Sequence, residues 1–98
     1  MYSATILPLA KKDIRQAAKW YNSKQSGLGK RFTQQVRQKV TFIKQYPKGA
    51  NIRYDKVRTA VLEDFPFMIH YSVDDDKQLV LVVAVLHTAK NPKTWKDR

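Results

Sequence analysis

The chain has 98 residues, no cysteine, and nineteen Lys and Arg against eight Asp and Glu, a net charge of +11. That length is one domain, residues 1–98, with room for one core under one sheet, and the missing cysteine excludes a disulfide framework and a thiolate zinc site. No run approaches the roughly 20 apolar residues that span a bilayer, and MYSATILPLAKK lacks a basic segment followed by an apolar one, so a cytoplasmic protein with no membrane partner is expected.

The charge is lopsided. Residues 1–62 carry fourteen basic and two acidic side chains, net +12, and residues 63–98 carry five basic and six acidic, net −1. A basic field this strong calls for an anionic partner.

Tyr2–Leu7 is a short candidate strand, ended by Pro8, whose absent N–H suits the first turn of a helix. From about Leu9 to Lys24, Ala10, Ile14, Ala17 and Tyr21 recur at helical spacing on one face. Asp13 falls in the first turns, where a carboxylate suits the helix dipole. Gly27 and Gly29 mark a break. A second helix from about Lys30 to Gln45 carries the stripe Phe32, Val36, Val40 and Ile43, and Pro47 stops it at Tyr46. The two helices form an antiparallel hairpin. Lys48–Lys56, which contains Arg53, is a polar connector. No repeat, low-complexity segment or linker follows.

Three strands come next. Val57–Leu62 is rich in β-branched residues. Phe67–Val73 alternates, with Phe67, Ile69, Tyr71 and Val73 on one face and Met68, His70 and Ser72 on the other. Gln78–Leu86 is apolar on both faces. The short turns at 63–66 and 74–77 make the three strands an antiparallel meander. The last strand needs a neighbour on each side, and Tyr2–Leu7 is the candidate for the second. The tail Thr88–Arg98 is basic, and Pro92 opposes a long helix there.

Candidate chemistry is sparse. His87, Lys90 and Arg58 are the weak catalytic candidates, since cleavage of RNA needs a proton-transfer group and cations for the phosphorane charge. Arg58 opens a strand, where a guanidinium reaches a phosphate or carboxylate in bidentate fashion, or else pairs with Asp55 or Glu63. Trp95 with Lys93 and Lys96 either stacks on nucleic acid or covers the end of the core. Asp74, Asp75 and Asp76 solvate a turn better than they hold a cation. No metal or cofactor is expected.

A set of local features runs the length of the chain. It comprises Pro8-x-Ala10-x-x-Asp13-Ile14, Trp20-Tyr21, Gly27-Leu28-Gly29-x-x-Phe32 and Tyr46-Pro47, then Val57-Arg58, Phe65-Pro66-Phe67-x-Ile69-x-Tyr71 and His87-x-x-Lys90-x-Pro92-x-x-Trp95. In this order they resemble the RelE/ParE superfamily of toxins from type II toxin–antitoxin pairs, and most closely its ParE-like plasmid-stabilisation branch. Lys90 departs from the Arg usual in that branch.

The resemblance implies an α+β fold. An N-terminal strand, a helix hairpin and a three-stranded meander form one mixed four-stranded sheet covered on one side by the hairpin. It implies an antitoxin partner and a growth-inhibiting function, by poisoning DNA gyrase in the ParE-like branch. The alternatives are a ribosome-dependent mRNA endonuclease, as in the RelE-like branch, and a non-catalytic nucleic-acid-binding domain. The nuclease branch places an Arg at or near the position of Met68 here, and often a Tyr near the C-terminus, to which Trp95 is closest. Neither Met nor Trp can perform those roles. Target contact is therefore expected from Arg53, Lys56, Arg58, His87, Lys90, Lys93 and Trp95. Antitoxin contact is expected from Val80, Val82 and Leu86 on an exposed apolar strip of the last strand, and from Trp20 and Tyr21.

Overall fold

The computed structural model describes residues 1–97, and side chains through residue 95. The elements run β1 (Ser3–Ile6), α1 (Pro8–Lys24), α2 (Leu28–Gln45), β2 (Ile52–Tyr54), β3 (Val57–Val61), β4 (Phe67–Asp74) and β5 (Leu79–His87), then a short 3-10 helix at Pro92–Asp97. The sheet order is β1-β5-β4-β3-β2. β1 pairs parallel with β5, Ser3 opposite Leu79, and every other pairing is antiparallel. The last strand thus has its two neighbours, one of them the N-terminal strand.

The sheet has five strands, not four. β2 lies inside the segment read as a polar connector. Three residues are too few to display a period of two, and Arg53 gives no apolar signal. What sets β2 is a tight turn at Asp55, which takes φ of 49°, a left-handed conformation that Asp tolerates better than most residues.

Both helices lie on one face of the sheet. Ala10 and Ala17 from α1, and Phe32, Val36, Val40 and Ile43 from α2, are buried against Ile69, Tyr71, Val80, Val82 and Val85. Tyr21, Phe32, Phe65 and Phe67 form an aromatic cluster with centroids 4.8 to 5.9 Å apart. The hairpin turn depends on its glycines. Gly27 takes φ of 87°, and a Cβ on Gly29 would overlap the Ala18 carbonyl oxygen of α1. At the far end of α2, the Tyr71 hydroxyl donates to the Pro47 carbonyl at 3.0 Å, and Tyr2 and Lys48 both donate to the Asp75 carboxylate, at 2.8 and 2.7 Å.

β5 outruns β1. The register ends at Ile6 opposite Val82, and the Leu7 N–H still donates to the Val82 carbonyl at 2.9 Å. Beyond that point the Val85 N–H donates to Asp13 Oδ2 at 3.0 Å. Asp13 is therefore more than a charge suited to the helix dipole: α1 uses it to complete the backbone bonding of the last strand, which needs an acceptor because it is buried. None of the described helices is long and apolar enough to cross a membrane.

Candidate functional site

The face of the sheet turned away from the hairpin is built by the alternation of β4. Phe67, Ile69 and Tyr71 go to the hairpin side, and Met68 and His70 to the other. Cross-strand partners share a face, so Thr59 sits beside His70 and Val61 beside Met68. In β5 the register shifts between His70 and Tyr71, opposite Ala84 and Val82. Val83 is the extra residue of a β-bulge, and the bulge turns Ala84 and Leu86 onto the outer face.

The 3-10 helix brings Trp95 back under this face. Met68, Ala84, Leu86 and Trp95 are buried together, with Tyr54 and Val83 packed around them. His70 is fully buried in the same place. Its Nδ1 shares a hydrogen bond with the Tyr54 hydroxyl at 3.0 Å, and its ring meets the Trp95 ring edge-on at 4.8 Å. The Arg53 guanidinium lies over the Trp95 ring, 5.4 Å from its centroid. Beside the cluster, an apolar cleft of about 450 Å³ opens between the start of α1 and the β2–β3 turn, lined chiefly by Leu7, Leu9, Tyr54, Val57, Val83 and Trp95.

The expected site residues do not converge. Arg58 faces the hairpin side, opposite Tyr71, and its Nη1 donates to the carbonyls of Ala50 at 2.5 Å and Lys48 at 3.4 Å. It pairs with neither Asp55 nor Glu63; the latter takes Lys39 at 2.8 Å. His87 is opposite Phe67, four residues along β4 from the Arg58 level and so offset by roughly 14 Å along the strands at about 3.4 Å per residue, with β4 lying between them. His87 Nδ1 accepts the Ala89 N–H at 3.0 Å, which leaves the proton of the neutral ring on Nε2. Lys56, Lys90 and Lys93 are exposed. Trp95 is buried and covers the core, so stacking on nucleic acid is not available to it as the tail is placed.

The expected antitoxin strip also needs correction. Val80 and Val82 lie fully buried under the hairpin, and Leu86 is buried in the outer cluster. The half-exposed apolar residues of β5 are Leu79, Leu81 and Val83. Tyr21 belongs to the aromatic core, while Trp20 is more than half exposed. Phe42 and Tyr46, whose rings meet at a tilt 5.1 Å apart on the outside of α2, are further exposed aromatics.

The acidic turn is occupied by local bonds. Asp74 accepts the Lys77 N–H at 3.1 Å, and hydrogen bonds from Lys48 and Tyr2 hold the Asp75 carboxyl below its ordinary range. Among the described residues no three His, Asp or Glu side chains gather as a metal site.

The family model described as the ParE toxin of the type II toxin–antitoxin system, parDE, matches residues 5–92. No curated protein sequence matches the chain. Among solved structures, a chain of the chromosomal ParDE toxin–antitoxin system from P. aeruginosa superposes with a TM-score of 0.77 at 20% identity, over 89% of this chain and 96% of that one. The isolated E. coli RelE toxin gives 0.68 at 19% identity, over 99% and 94%. The RelBE2 toxin–antitoxin complex from Mycobacterium tuberculosis gives 0.63 at 12% identity, over 88% and 96%. At these identities the structural likeness is one of fold.

Proposed function

The chain belongs to the ParE toxin family of type II toxin–antitoxin systems, and from that membership we propose that it stops bacterial growth by binding and poisoning DNA gyrase in the cytoplasm, as one toxin domain silenced by an antitoxin. The observation that carries the choice of target is the outer face of the sheet. Met68 and Trp95, at or near the positions where nuclease relatives place a phosphate-binding Arg and a C-terminal Tyr, are packed together at 5% and 6% exposure. The cluster of Met68, Ala84, Leu86 and Trp95 offers no cation to a phosphorane, and the imidazole beside it, His70, is fully buried with its Nδ1 on the Tyr54 hydroxyl, out of reach of a substrate proton. The remaining candidates, Arg58 and His87, are too far apart to act on one phosphate.

The same face suits protein contact. The apolar cleft beside Trp95 has the size and lining of a pocket for a partner's side-chain anchors, and Arg53, Lys56, Lys90 and Lys93 are exposed charges for its rim. The antitoxin has two apolar areas to cover, this cleft and the Phe42–Tyr46 pair on α2. The gyrase subunits immobilised separately test the target: the purified chain should be retained by gyrase and should stop plasmid supercoiling, and addition of antitoxin should release both effects. Retention on ribosomes with no effect on supercoiling would favour the endonuclease reading instead.

A further inference from the structure

The helix hairpin carries more positive charge than the ion pairs among the described residues use. Residues 8–45 contain ten Lys and Arg and a single acid, Asp13, and Asp13 Oδ2 is turned inward to the Val85 N–H. Two of the ten cations are paired by the turn between β3 and β4, Arg31 with Asp64 and Lys39 with Glu63. Among the described residues no ion pair uses the others.

Six of those others form two rows. On α1, Lys11, Arg15 and Lys19 repeat every four residues, a row roughly 12 Å long. On α2, Lys30, Arg37 and Lys44 repeat every seven, a row roughly 21 Å long. All but the half-buried Lys44 are exposed. Relative to the buried stripes, the α1 row lies on the side of Ala18, which touches Gly29 of α2, and the α2 row lies on the side of Thr33, which lines a cavity together with Lys11 and Arg15 of α1. The two rows therefore flank the groove between the helices. A shallow cavity of about 220 Å³ confirms the meeting at one end, since Lys11, Arg15 and Arg37 line it together above Ile6, Ile14 and Val36. Like charges four residues apart, as in the α1 row, oppose helix stability, a cost that an anion in the groove offsets.

We infer that the groove between α1 and α2 binds the phosphodiester backbone of duplex DNA, without reading its sequence. A protein interface is centred on aromatic and apolar anchors, and on this molecule the exposed aromatics lie outside the groove lining, at Trp20, Phe42 and Tyr46, with the apolar cleft at the outer face of the sheet. Between the cations of the hairpin groove stands the exposed Gln34, a residue type that joins Lys and Arg in positioning phosphates, while the Thr33 and Thr41 hydroxyls donate to the Gly29 and Arg37 carbonyls of their own helix. This surface lies on the opposite side of the sheet from the face assigned to gyrase. It stands whether or not gyrase is the target, and under the gyrase reading it lets the toxin hold enzyme and substrate DNA together.

The test is fluorescence anisotropy of a labelled duplex of about 20 base pairs, of arbitrary sequence, with the purified full chain. Six phosphate contacts give a log–log salt slope near −5, about a thousandfold loss of affinity between roughly 50 and 200 mM salt. Lys11→Gln/Arg15→Gln/Arg37→Gln should lower the slope to about −3 and weaken binding more than tenfold at the lower salt. Lys77→Gln, on the exposed turn between β4 and β5, should leave both unchanged. If the triple variant fails to fold, Lys30→Gln/Lys44→Gln carries the test, with the slope falling by about 2. The inference is overturned by no binding at the lower salt, by unchanged slopes in the hairpin variants, or by a polyglutamate peptide that competes as well as DNA at equal charge. Tenfold tighter binding of an RNA duplex would overturn the assignment to DNA.

Discussion

Replacing Asp13 should damage the fold far more than an acid on a basic helix would suggest. Its Oδ2 accepts the Val85 N–H at 3.0 Å, and Val85 is 1% exposed. In Asp13→Ala that N–H loses its acceptor in a dry core, and a buried amide left unmade costs about 1–3 kcal/mol. The acceptor is charged, which places the cost near the upper end. For a chain of this size about 2 kcal/mol lowers the melting midpoint by roughly 10 °C. Asp13→Asn keeps a carbonyl oxygen in place and should lose only the charge assistance, about 1 kcal/mol. The assay is urea and thermal unfolding followed by circular dichroism, with amide exchange at Val85 as the local readout. The Val85 amide should exchange faster in the Ala variant than in the Asn variant. An Ala variant melting within about 2 °C of the parent, with Val85 equally protected, would refute the reasoning. So would an Asn variant as unstable as the Ala variant, because the loss would then follow charge and not the hydrogen bond.

Gly29→Ala should separate α1 from α2, because the new methyl overlaps the Ala18 carbonyl; overpacking of this kind costs about 1–3 kcal/mol, and a fully stable variant in chemical denaturation would contradict the close crossing. Arg58→Glu should destabilise the chain by about 1–3 kcal/mol, because it strips the Lys48 and Ala50 carbonyls of their donor. Lys90→Glu, on the exposed tail, should stay within about 0.5 kcal/mol of the parent, and equal stability of the two variants would show Arg58 to be a surface charge only. Lys48 and Tyr2 depress the Asp75 pKa below its ordinary 3.8. A depressed carboxylate contributes stability above its ordinary pKa and loses it as pH falls through the lower folded value. Asp75→Asn should therefore flatten the acid limb of the stability profile below about pH 4, and an unchanged limb would assign that loss to other carboxylates.

Much of the fold is legible where a period survives intact. β4 keeps strict alternation, so Phe67, Ile69 and Tyr71 were assignable to one face and Met68 and His70 to the other. The α2 stripe of Phe32, Val36, Val40 and Ile43 is likewise the buried set. The losses have specific causes. β5 is apolar at nearly every position, and the bulge at Val83 changes its parity, so no pattern distinguishes Val80 and Val82 under the hairpin from Leu79 and Leu81 outside it. β2 is three residues long and depends on one left-handed residue. The side taken by Arg58 follows from its register opposite Tyr71, a long-range fact. The charge of the hairpin was plain in the sequence, but its arrangement in two rows about one groove depends on the contact of Gly29 with Ala18.

The central claim is that toxicity follows from contact with gyrase and not from cleavage of message. One preparation of the parent and one of His87→Ala should be assayed side by side for plasmid supercoiling by gyrase and for mRNA cleavage on programmed ribosomes. His87 Nδ1 is engaged by the Ala89 N–H, and neither Met68 nor Trp95 carries a cation for a phosphate. The expected result is inhibited supercoiling and intact message for both proteins. Message cut by the parent but not by His87→Ala, with supercoiling unimpaired, would contradict it.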